Sequence, residues 1–180
     1  GLRMLVDLSH CGEATTLDGI THSRMPVAIT HTGCRAVFDH PRNKTDDALR
    51  ALANRGGVVG IFQINPYLGP AERNTLDDVV RHIEHAVNVC GIEHVGIGSD
   101  REYQTIPDTP EEQERLRTEL SRLRPTTASN FRWPFFVTAL NHPRRMETLA
   151  DALGRRGRSG REVDLILGGN FLRLFRETIG

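Results

Sequence analysis

Short apolar runs recur along this chain, and stretches with helical periodicity separate them. The runs occupy residues 4–8, 27–29, 58–62 and 95–98, and each is almost wholly apolar. Runs of this length and composition predict strands that are buried on both faces. Such strands are typical of parallel sheets, because helices cover both faces of those sheets.

Two stretches between the runs have the spacing of amphipathic helices. The clearer one begins at Thr75, which suits an N-cap, and has Asp78 at the third helical position. Its apolar side chains form one stripe: Leu76, Val79, Val80, Ile83 and Val87. A shorter helix is predicted over 46–54, with Gly56 and Gly57 as its stop. The alternation of strands and helices predicts an α/β fold built from βαβ units.

The pattern changes after the fourth run. Residues 101–142 hold a charged helix, PEEQERLRTELSRLR, and an aromatic cluster at positions 131, 133, 135 and 136. This insertion is either a lid or an interface, or its aromatics only pack it onto the body. Two more helices are predicted, METLADALGRR and a segment that opens with Ser159 and Glu162 at capping-box spacing. We expect one domain over 1–180, with four βα units in 1–100, the insertion in 101–142 and terminal helices in 143–180.

The charges of the chain balance, with 23 lysines and arginines against 23 aspartates and glutamates. Without a net positive field, no general attraction to nucleic acid or an anionic membrane is expected. The expected partner is a small molecule or another protein. No apolar run reaches the roughly 18 residues that a membrane-spanning helix needs, and localisation stays open. The three cysteines follow no C-x-x-C spacing, so neither a disulfide framework nor a cysteine zinc site is expected.

Polar residues with catalytic potential end three of the four runs. DLSH ends in His10, AITH ends in His31, and GIGSD ends in Asp100. In parallel α/β folds the carboxyl ends of the strands are where functional sites are built. Two imidazoles that converge there suit a zinc ion, and a neighbouring carboxylate suits proton transfer. The alternative is that each histidine only caps its strand through an ordinary hydrogen bond.

Several motifs, in order along the chain, resemble those of one enzyme family. The stretches LVDLSH, PVAITHTGCRAVFDHPRN, GGVVGIF, HVGIGSD and LGGNFLRLF are similar to the membrane (renal) dipeptidase family, binuclear zinc peptidases of the amidohydrolase type. The similarity runs from residue 2 to about 100 and resumes over about 143–176. The resemblance implies a TIM-type (β/α)8 barrel, of which this chain is the C-terminal half, strands five to eight plus C-terminal helices.

The same resemblance implies a role for four residues. His10 and His31 match the ligands of the second zinc, and Arg42 of the HPRN segment matches an arginine that binds the terminal carboxylate of the substrate. Asp100 matches an aspartate that shuttles protons while metal-activated hydroxide hydrolyses the peptide bond of a dipeptide. The alternatives are a surface salt bridge for Arg42 and a carboxylate that caps the next turn for Asp100. The other histidines are expected to be structural, His82 and His85 on a helix among them.

Part of the family's site cannot be placed in this sequence. The family carries a His-x-Asp pair for the other zinc, a glutamate that bridges both metals and a substrate-contacting histidine, all in the first half of a barrel of about 250 residues. We therefore expect half of a site, little or no activity of this chain alone, and either self-association through open sheet edges or a missing N-terminal half as partner. After Asp100 the chain also departs from the family, because Arg101, Glu102 and Tyr103 stand where an aromatic, an aspartate and a glycine are common.

Two other functions remain open at this stage. One is a different amidohydrolase-like metal hydrolase that acts on a lactone, a phosphoester or another amide with the same two histidines. The other is a non-catalytic half barrel that has lost its first metal site. A carboxylate-binding Arg42 favours the dipeptidase, because a guanidinium fork meets the free carboxylate of a peptide in a bidentate pair.

Overall fold

A parallel sheet forms the centre of the computed structural model, which describes residues 3–101, 103–123 and 131–180. Its three strands are β1 (Ala28–Thr32), β2 (Val58–Ile61) and β3 (Val95–Ile97), in the order β1-β2-β3. Every residue of β2 is buried, and the neighbouring strands pair with it in parallel. The α/β fold with a parallel sheet is therefore confirmed.

The first apolar run differs from the expected strand. Within residues 4–8 only Asp7 forms an isolated parallel bridge, to Ala28. The Ala28 N–H donates to the Val6 carbonyl at 2.9 Å, and the Leu8 N–H donates to the Ala28 carbonyl at 2.9 Å. The run thus lies beside β1 in strand-like fashion. In the described part of the chain it has pairing on that side alone, which leaves Val6 and Met4 exposed.

Helices surround the sheet and follow the strands along the chain. The described α-helices are α1 (Glu13–His22), α2 (Asp46–Asn54), α3 (Leu76–Cys90), α4 (Pro110–Leu123), α5 (Arg145–Arg155), α6 (Gly160–Asp164) and α7 (Asn170–Thr178). A π-helical turn, Leu165–Gly169, joins α6 to α7. In the described ranges, none of the helices is both long and apolar enough to cross a membrane.

The two helices between the strands end where their sequences predict. A capping box of Thr75 and Asp78 opens α3, and the apolar stripe behind it is buried against the sheet. α2 begins at the Thr45 cap and is followed by Gly56, whose φ of 77° is a left-handed conformation that favours glycine. The boundaries predicted for both helices are confirmed.

The insertion packs against the body through its aromatic side chains. Phe135 and Phe136 are each only 8% exposed, and the Trp133 indole donates to the Asp108 carboxylate. The Phe135 carbonyl accepts from the Asn65 N–H at 2.8 Å, just beyond the carboxyl end of β2. The insertion therefore lies at the end of the sheet where the predicted site residues sit. Residues 102 and 124–130 of the insertion lie outside the described residues.

A buried histidine on α3 joins two loops at this same end of the sheet. His82 is fully buried, and its Nδ1 accepts from the Cys34 N–H at 2.9 Å. Its Nε2 therefore carries the proton and donates to the Leu68 carbonyl at 3.0 Å. Burial lowers the pKa of His82 from its usual 6.5 to about 4. His82 is thus a neutral structural residue at physiological pH.

This histidine makes the stability of the chain depend on pH. The pKa of His82 is lower in the folded than in the unfolded chain, so its contribution is complete above pH 6.5 and is lost as the pH falls towards 4. The free energy of unfolding should drop by roughly 3 kcal/mol across that window. Denaturant unfolding at a series of pH values measures the drop.

His82→Gln is the matched variant, because an amide can both accept and donate without titrating. The variant should lose this part of the pH dependence, whereas His22→Gln, at an exposed position on α1, should keep it. Equal pH dependence in the wild type and His82→Gln would contradict the assignment.

Candidate metal centre

Two imidazoles meet at the carboxyl end of the sheet. His31 lies in β1, and His10 lies two residues beyond the segment that pairs with β1. Their Nε2 atoms are 2.8 Å apart, and their ring centroids are 4.9 Å apart with the planes inclined by 65°. His31 is half-buried, whereas His10 is exposed. The structure thus brings the two predicted ligands together.

A β-bulge in β1 sets the position of His31. Ile29 pairs with Val59 and Thr32 pairs with Ile61, so three steps along β1 match two steps along β2. A bulge of this kind changes the direction of side chains next to it. As a result the hydroxyl of Thr30 lies 3.0 Å from Nδ1 of His31, although successive side chains of a regular strand point to opposite faces.

Two glycines, one in β2 and one directly after β3, accommodate this bulge. A Cβ added at Gly60 or at Gly98 would overlap the carbonyl oxygen of Thr30. Any larger residue at either position would push that carbonyl, and with it β1, away from the sheet. The glycines therefore permit the close approach that directs His31 towards His10.

A carboxylate supports the residues around His31. Asp7 Oδ1 accepts from the backbone N–H groups of Ser9 at 3.1 Å and Thr30 at 2.9 Å, and Oδ2 accepts from the Thr30 hydroxyl at 2.7 Å. The surrounding protein raises the pKa of Asp7 by desolvation, but the hydrogen bonds from Ser9 and Thr30 outweigh this and leave the pKa below its usual value. The Ser9 hydroxyl in turn accepts from the His31 N–H at 3.1 Å.

Asp100 faces His31 from the far side of the sheet. Its Oδ2 lies 3.8 Å from His31 Nε2, and its side chain is 37% exposed. Asp100 has a φ of 49°, a left-handed conformation that is uncommon outside glycine but that aspartate tolerates. The next residue, Arg101, donates to Asn141 Oδ1 at 2.6 Å and lies over the ring of Phe136. Arg101 thus ties the insertion to the end of β3.

Arg42 lies beside the segment that carries His10. One guanidinium nitrogen, Nη1, donates to the Ser9 carbonyl at 2.8 Å, and the Arg42 carbonyl accepts from the Thr32 hydroxyl at 3.0 Å. The guanidinium carbon lies 6.0 Å from the ring centroid of Tyr67. The arginine is therefore held at the same end of the sheet as the histidine pair, and it is half-buried.

Sequence reasoning missed residues that hold these side chains in place. Asp7, Ser9 and Thr30 support His31. Their signal was a polar residue inside an apolar run at Asp7, and polar residues directly after the runs at Ser9 and Thr30. Lys44 was also missed. Its Nζ donates to the Cys11 carbonyl at 2.6 Å and to Thr16 at 2.8 Å, so it anchors the chain next to His10. Burial is the largest cause that lowers the pKa of Lys44.

His10 and His31 fit two nitrogen ligands of one zinc ion. Two nitrogens 2.8 Å apart can both lie within the 2.0–2.1 Å of a typical Zn–N bond from one ion, since their separation is less than about 4 Å. Within the described ranges no group of three or more histidine, cysteine, aspartate or glutamate side chains is arranged to hold a metal ion. His85 lies elsewhere, where it pairs with Asp46 at 2.7 Å.

Known proteins resemble this chain in sequence and in fold. The family model for membrane dipeptidases, peptidase family M19, matches residues 1–123. An uncharacterized protein in the pqqA 5′ region of Klebsiella pneumoniae is 40% identical over 111 residues, which cover 59% of this chain and 41% of that protein. The dipeptidase verJ of Clonostachys rogersoniana is 44% identical over 97 residues, which cover 54% of this chain and 25% of that protein.

A solved structure extends the likeness to nearly the whole chain. An amidohydrolase from Pseudomonas aeruginosa superposes with a TM-score of 0.81 at 27% identity, over 98% of this chain and 53% of that one. The chain thus spans about half the length of that amidohydrolase, and less of the two relatives matched by sequence. Since the family model matches more than half of its residues, the chain belongs to the membrane dipeptidase family, peptidase family M19.

Proposed function

We propose that this chain supplies half of the binuclear site of a zinc-dependent dipeptidase. The observation that carries the proposal is the pair of Nε2 atoms, of His10 and His31, that lie 2.8 Å apart at the carboxyl end of a parallel sheet. Because the chain belongs to a metallopeptidase family, we interpret this pair as metal ligands. Imidazole nitrogen is a ligand that zinc favours.

We propose that the chain folds as strands five to eight of a (β/α)8 barrel. The run at 4–8 would be the fifth strand, and β1, β2 and β3 would be the sixth to eighth, in agreement with their order in space. The chain covers 53% of the amidohydrolase that it superposes on, which is the share expected of a half barrel. A half barrel would also leave large apolar side chains uncovered, and several are exposed on this chain, among them Met4 (72%), Leu172 (50%) and Phe175 (43%).

The remaining ligands would come from the half of the barrel that these 180 residues do not supply. Catalytic zinc usually takes three protein ligands, whereas the histidine pair offers two. Bound zinc lowers the pKa of water and polarises a carbonyl. The chain by itself is therefore predicted to have little or no peptidase activity, and zinc-dependent turnover by the purified chain would contradict this. Below, the complete enzyme means this chain together with the residues that complete the site.

Two other residues would act on the substrate. The guanidinium of Arg42 would bind the terminal carboxylate of a dipeptide and fix the position of its scissile bond. Asp100 would pass a proton to the amine that leaves, because it is partly exposed and lies beside the histidine pair. His10 and His31 would hold the zinc ion. A free carboxylate in the substrate distinguishes this proposal from a hydrolase of lactones or phosphoesters.

The role of Arg42 predicts a preference that can be measured. In the complete enzyme, Arg42→Met should lower kcat/KM for a dipeptide by at least about 30-fold, since removing one partner of a buried charge pair costs 2–5 kcal/mol. The same variant should change kcat/KM for the corresponding dipeptide amide little, because the amide has no carboxylate to bind. Steady-state kinetics on both substrates measure the two effects.

Arg35→Met is the matched control, because Arg35 lies in the same connection but pairs with the exposed Asp39. This control should keep the wild-type preference for the free carboxylate. An equal loss on both substrates in Arg42→Met would favour a structural role for the arginine and another substrate class.

A further inference from the structure

The hydroxyl of Thr30 occupies a position between a carboxylate and the ring of His31. It lies 2.7 Å from Asp7 Oδ2 and 3.0 Å from His31 Nδ1. A threonine hydroxyl has one proton to donate, and it can accept as well. The Ser9 hydroxyl is a third neighbour, 3.0 Å away. Whether the Thr30 proton goes to Asp7, to Ser9 or to His31 decides which nitrogen of His31 is protonated.

The carboxylate determines the direction of both hydrogen bonds. An aspartate is ionised at neutral pH and can only accept, so the Thr30 proton points to Asp7. Towards His31 the hydroxyl is then an acceptor, and Nδ1 must carry the ring proton. The lone pair of His31 is left on Nε2, the atom that faces His10 at 2.8 Å.

The backbone around His31 is held by the same residues. Asp7 Oδ1 accepts from the Ser9 hydroxyl at 2.5 Å, which leaves the lone pairs of that hydroxyl to accept from the His31 N–H at 3.1 Å. Asp7, Ser9 and Thr30, here called the support network, thus fix both the backbone and the ring of His31. The bulge in β1 makes this possible, because it places the Thr30 and His31 side chains together.

We propose that Asp7 is a positioning residue that, through Thr30, holds His31 in the tautomer whose Nε2 lone pair is directed at the metal. Asp7 would act on zinc affinity without touching the ion. This inference rests on the proposed function, since it assigns the purpose of the tautomer to a metal site. Groups that orient a metal-binding histidine typically change metal affinity 10- to 100-fold when they are replaced.

The substitution Asp7→Asn should reverse the hydrogen bonds. The oxygen of the new amide would stay at the Oδ1 position, where it accepts from the N–H groups of Ser9 and Thr30. Its NH₂ group would take the Oδ2 position and donate to the Thr30 hydroxyl. The Ser9 hydroxyl, 3.0 Å from that of Thr30, already accepts from the His31 N–H, so the Thr30 proton would turn to Nδ1 of His31 and the ring proton would move to Nε2.

The experiment uses ¹⁵N NMR of the histidine rings in the metal-free 180-residue chain. His31 should be an Nδ1–H tautomer in the wild type and an Nε2–H tautomer in Asp7→Asn. In zinc titrations of the same samples, Asp7→Asn should bind about 10- to 100-fold more weakly than the wild type. Asp18→Asn, which removes the same charge from an exposed position on α1, should change neither result.

A second pair of variants keeps the inference testable if Asp7→Asn does not fold. Thr30→Val removes the hydroxyl and should release the tautomer and weaken zinc binding, whereas Thr30→Ser should restore both. The inference is overturned if folded Asp7→Asn or Thr30→Val keeps the wild-type tautomer and zinc affinity. It is also overturned if Asp18→Asn weakens zinc binding as much as Asp7→Asn does.

Different results would contradict the proposed metal function and the positioning role of Asp7. If Asp7→Asn changes the tautomer but the wild type does not bind zinc, the proposed metal function fails while the control of the tautomer stands. If the wild type binds zinc through His10 and His31 but Asp7→Asn leaves tautomer and affinity unchanged, the positioning role fails alone.

Discussion

Replacing Asp100 by asparagine is expected to lower kcat of the complete enzyme by about 10²- to 10⁴-fold, the range that general acid–base groups contribute. Asp100 Oδ2 lies 3.8 Å from Nε2 of His31, a proposed metal ligand, and its side chain is 37% exposed, so it is open to a substrate bound there. Asparagine keeps the size and tolerates the left-handed φ of 49°, but it cannot carry the proton. Steady-state kinetics with a dipeptide measure the loss.

Two controls separate proton transfer from structure in this variant. Asp100→Asn should keep the zinc content of the wild type, since Asp100 is proposed to move a proton and not to hold the metal. Asp39→Asn, at a side chain that is 91% exposed, should keep the wild-type kcat. An unchanged kcat in Asp100→Asn would remove this residue from the mechanism.

Loss of either histidine of the pair should strongly weaken zinc binding. His10→Ala and His31→Ala each remove one of the two nitrogens that fit one zinc ion, so a single imidazole remains as ligand. That imidazole is open to solvent in both variants, since the His31 side chain is 15% exposed and His10 is exposed. Since replacing a mere supporting group already costs 10- to 100-fold in metal affinity, losing a ligand should weaken binding by more than about 100-fold. The zinc content of each variant after dialysis measures the effect.

His22→Ala is the matched control for this pair, because it removes an exposed imidazole from α1. It should leave the zinc content unchanged. If zinc stayed bound equally well in His10→Ala and His31→Ala, the metal would have to lie elsewhere.

The sequence predicted the elements that depend on local patterns. The boundaries of α2 and the capping box of α3 follow from residues within one turn of each helix, and the structure confirms them. The position of the histidine pair was also predictable, because the carboxyl ends of neighbouring parallel strands must meet. The strand order and the place of His10 and His31 after their runs put both residues at that end, whereas the direction of the His31 side chain also depends on the bulge in β1.

What the sequence could not reveal depends on contacts between distant segments. The bulge at Thr30 is possible because Gly60 in β2 and Gly98 directly after β3 leave room for its carbonyl. No local pattern marks that register shift. The run at 4–8 has the composition of a strand, but in the described residues it makes only an isolated bridge to Ala28.

The apolar pattern of α1 is weaker than that of α3. Its buried side chains are only Thr16 and Ile20, so the stripe that identified α3 is absent there.

The buried role of Lys44 was also hidden, since a lysine next to HPRN looks like a surface charge. Its two hydrogen-bond acceptors, at Cys11 and Thr16, come together only in the folded chain.

The central claim is that His10 and His31 bind one metal ion. The most direct measurement is a titration of the 180-residue chain with Co²⁺, followed by visible absorption and by competition with Zn²⁺. We predict one ion per chain, displaced by Zn²⁺, with the signal lost in both His10→Ala and His31→Ala and kept in His22→Ala. An absence of binding by the wild type, or binding that survives in His10→Ala and His31→Ala, would contradict the account.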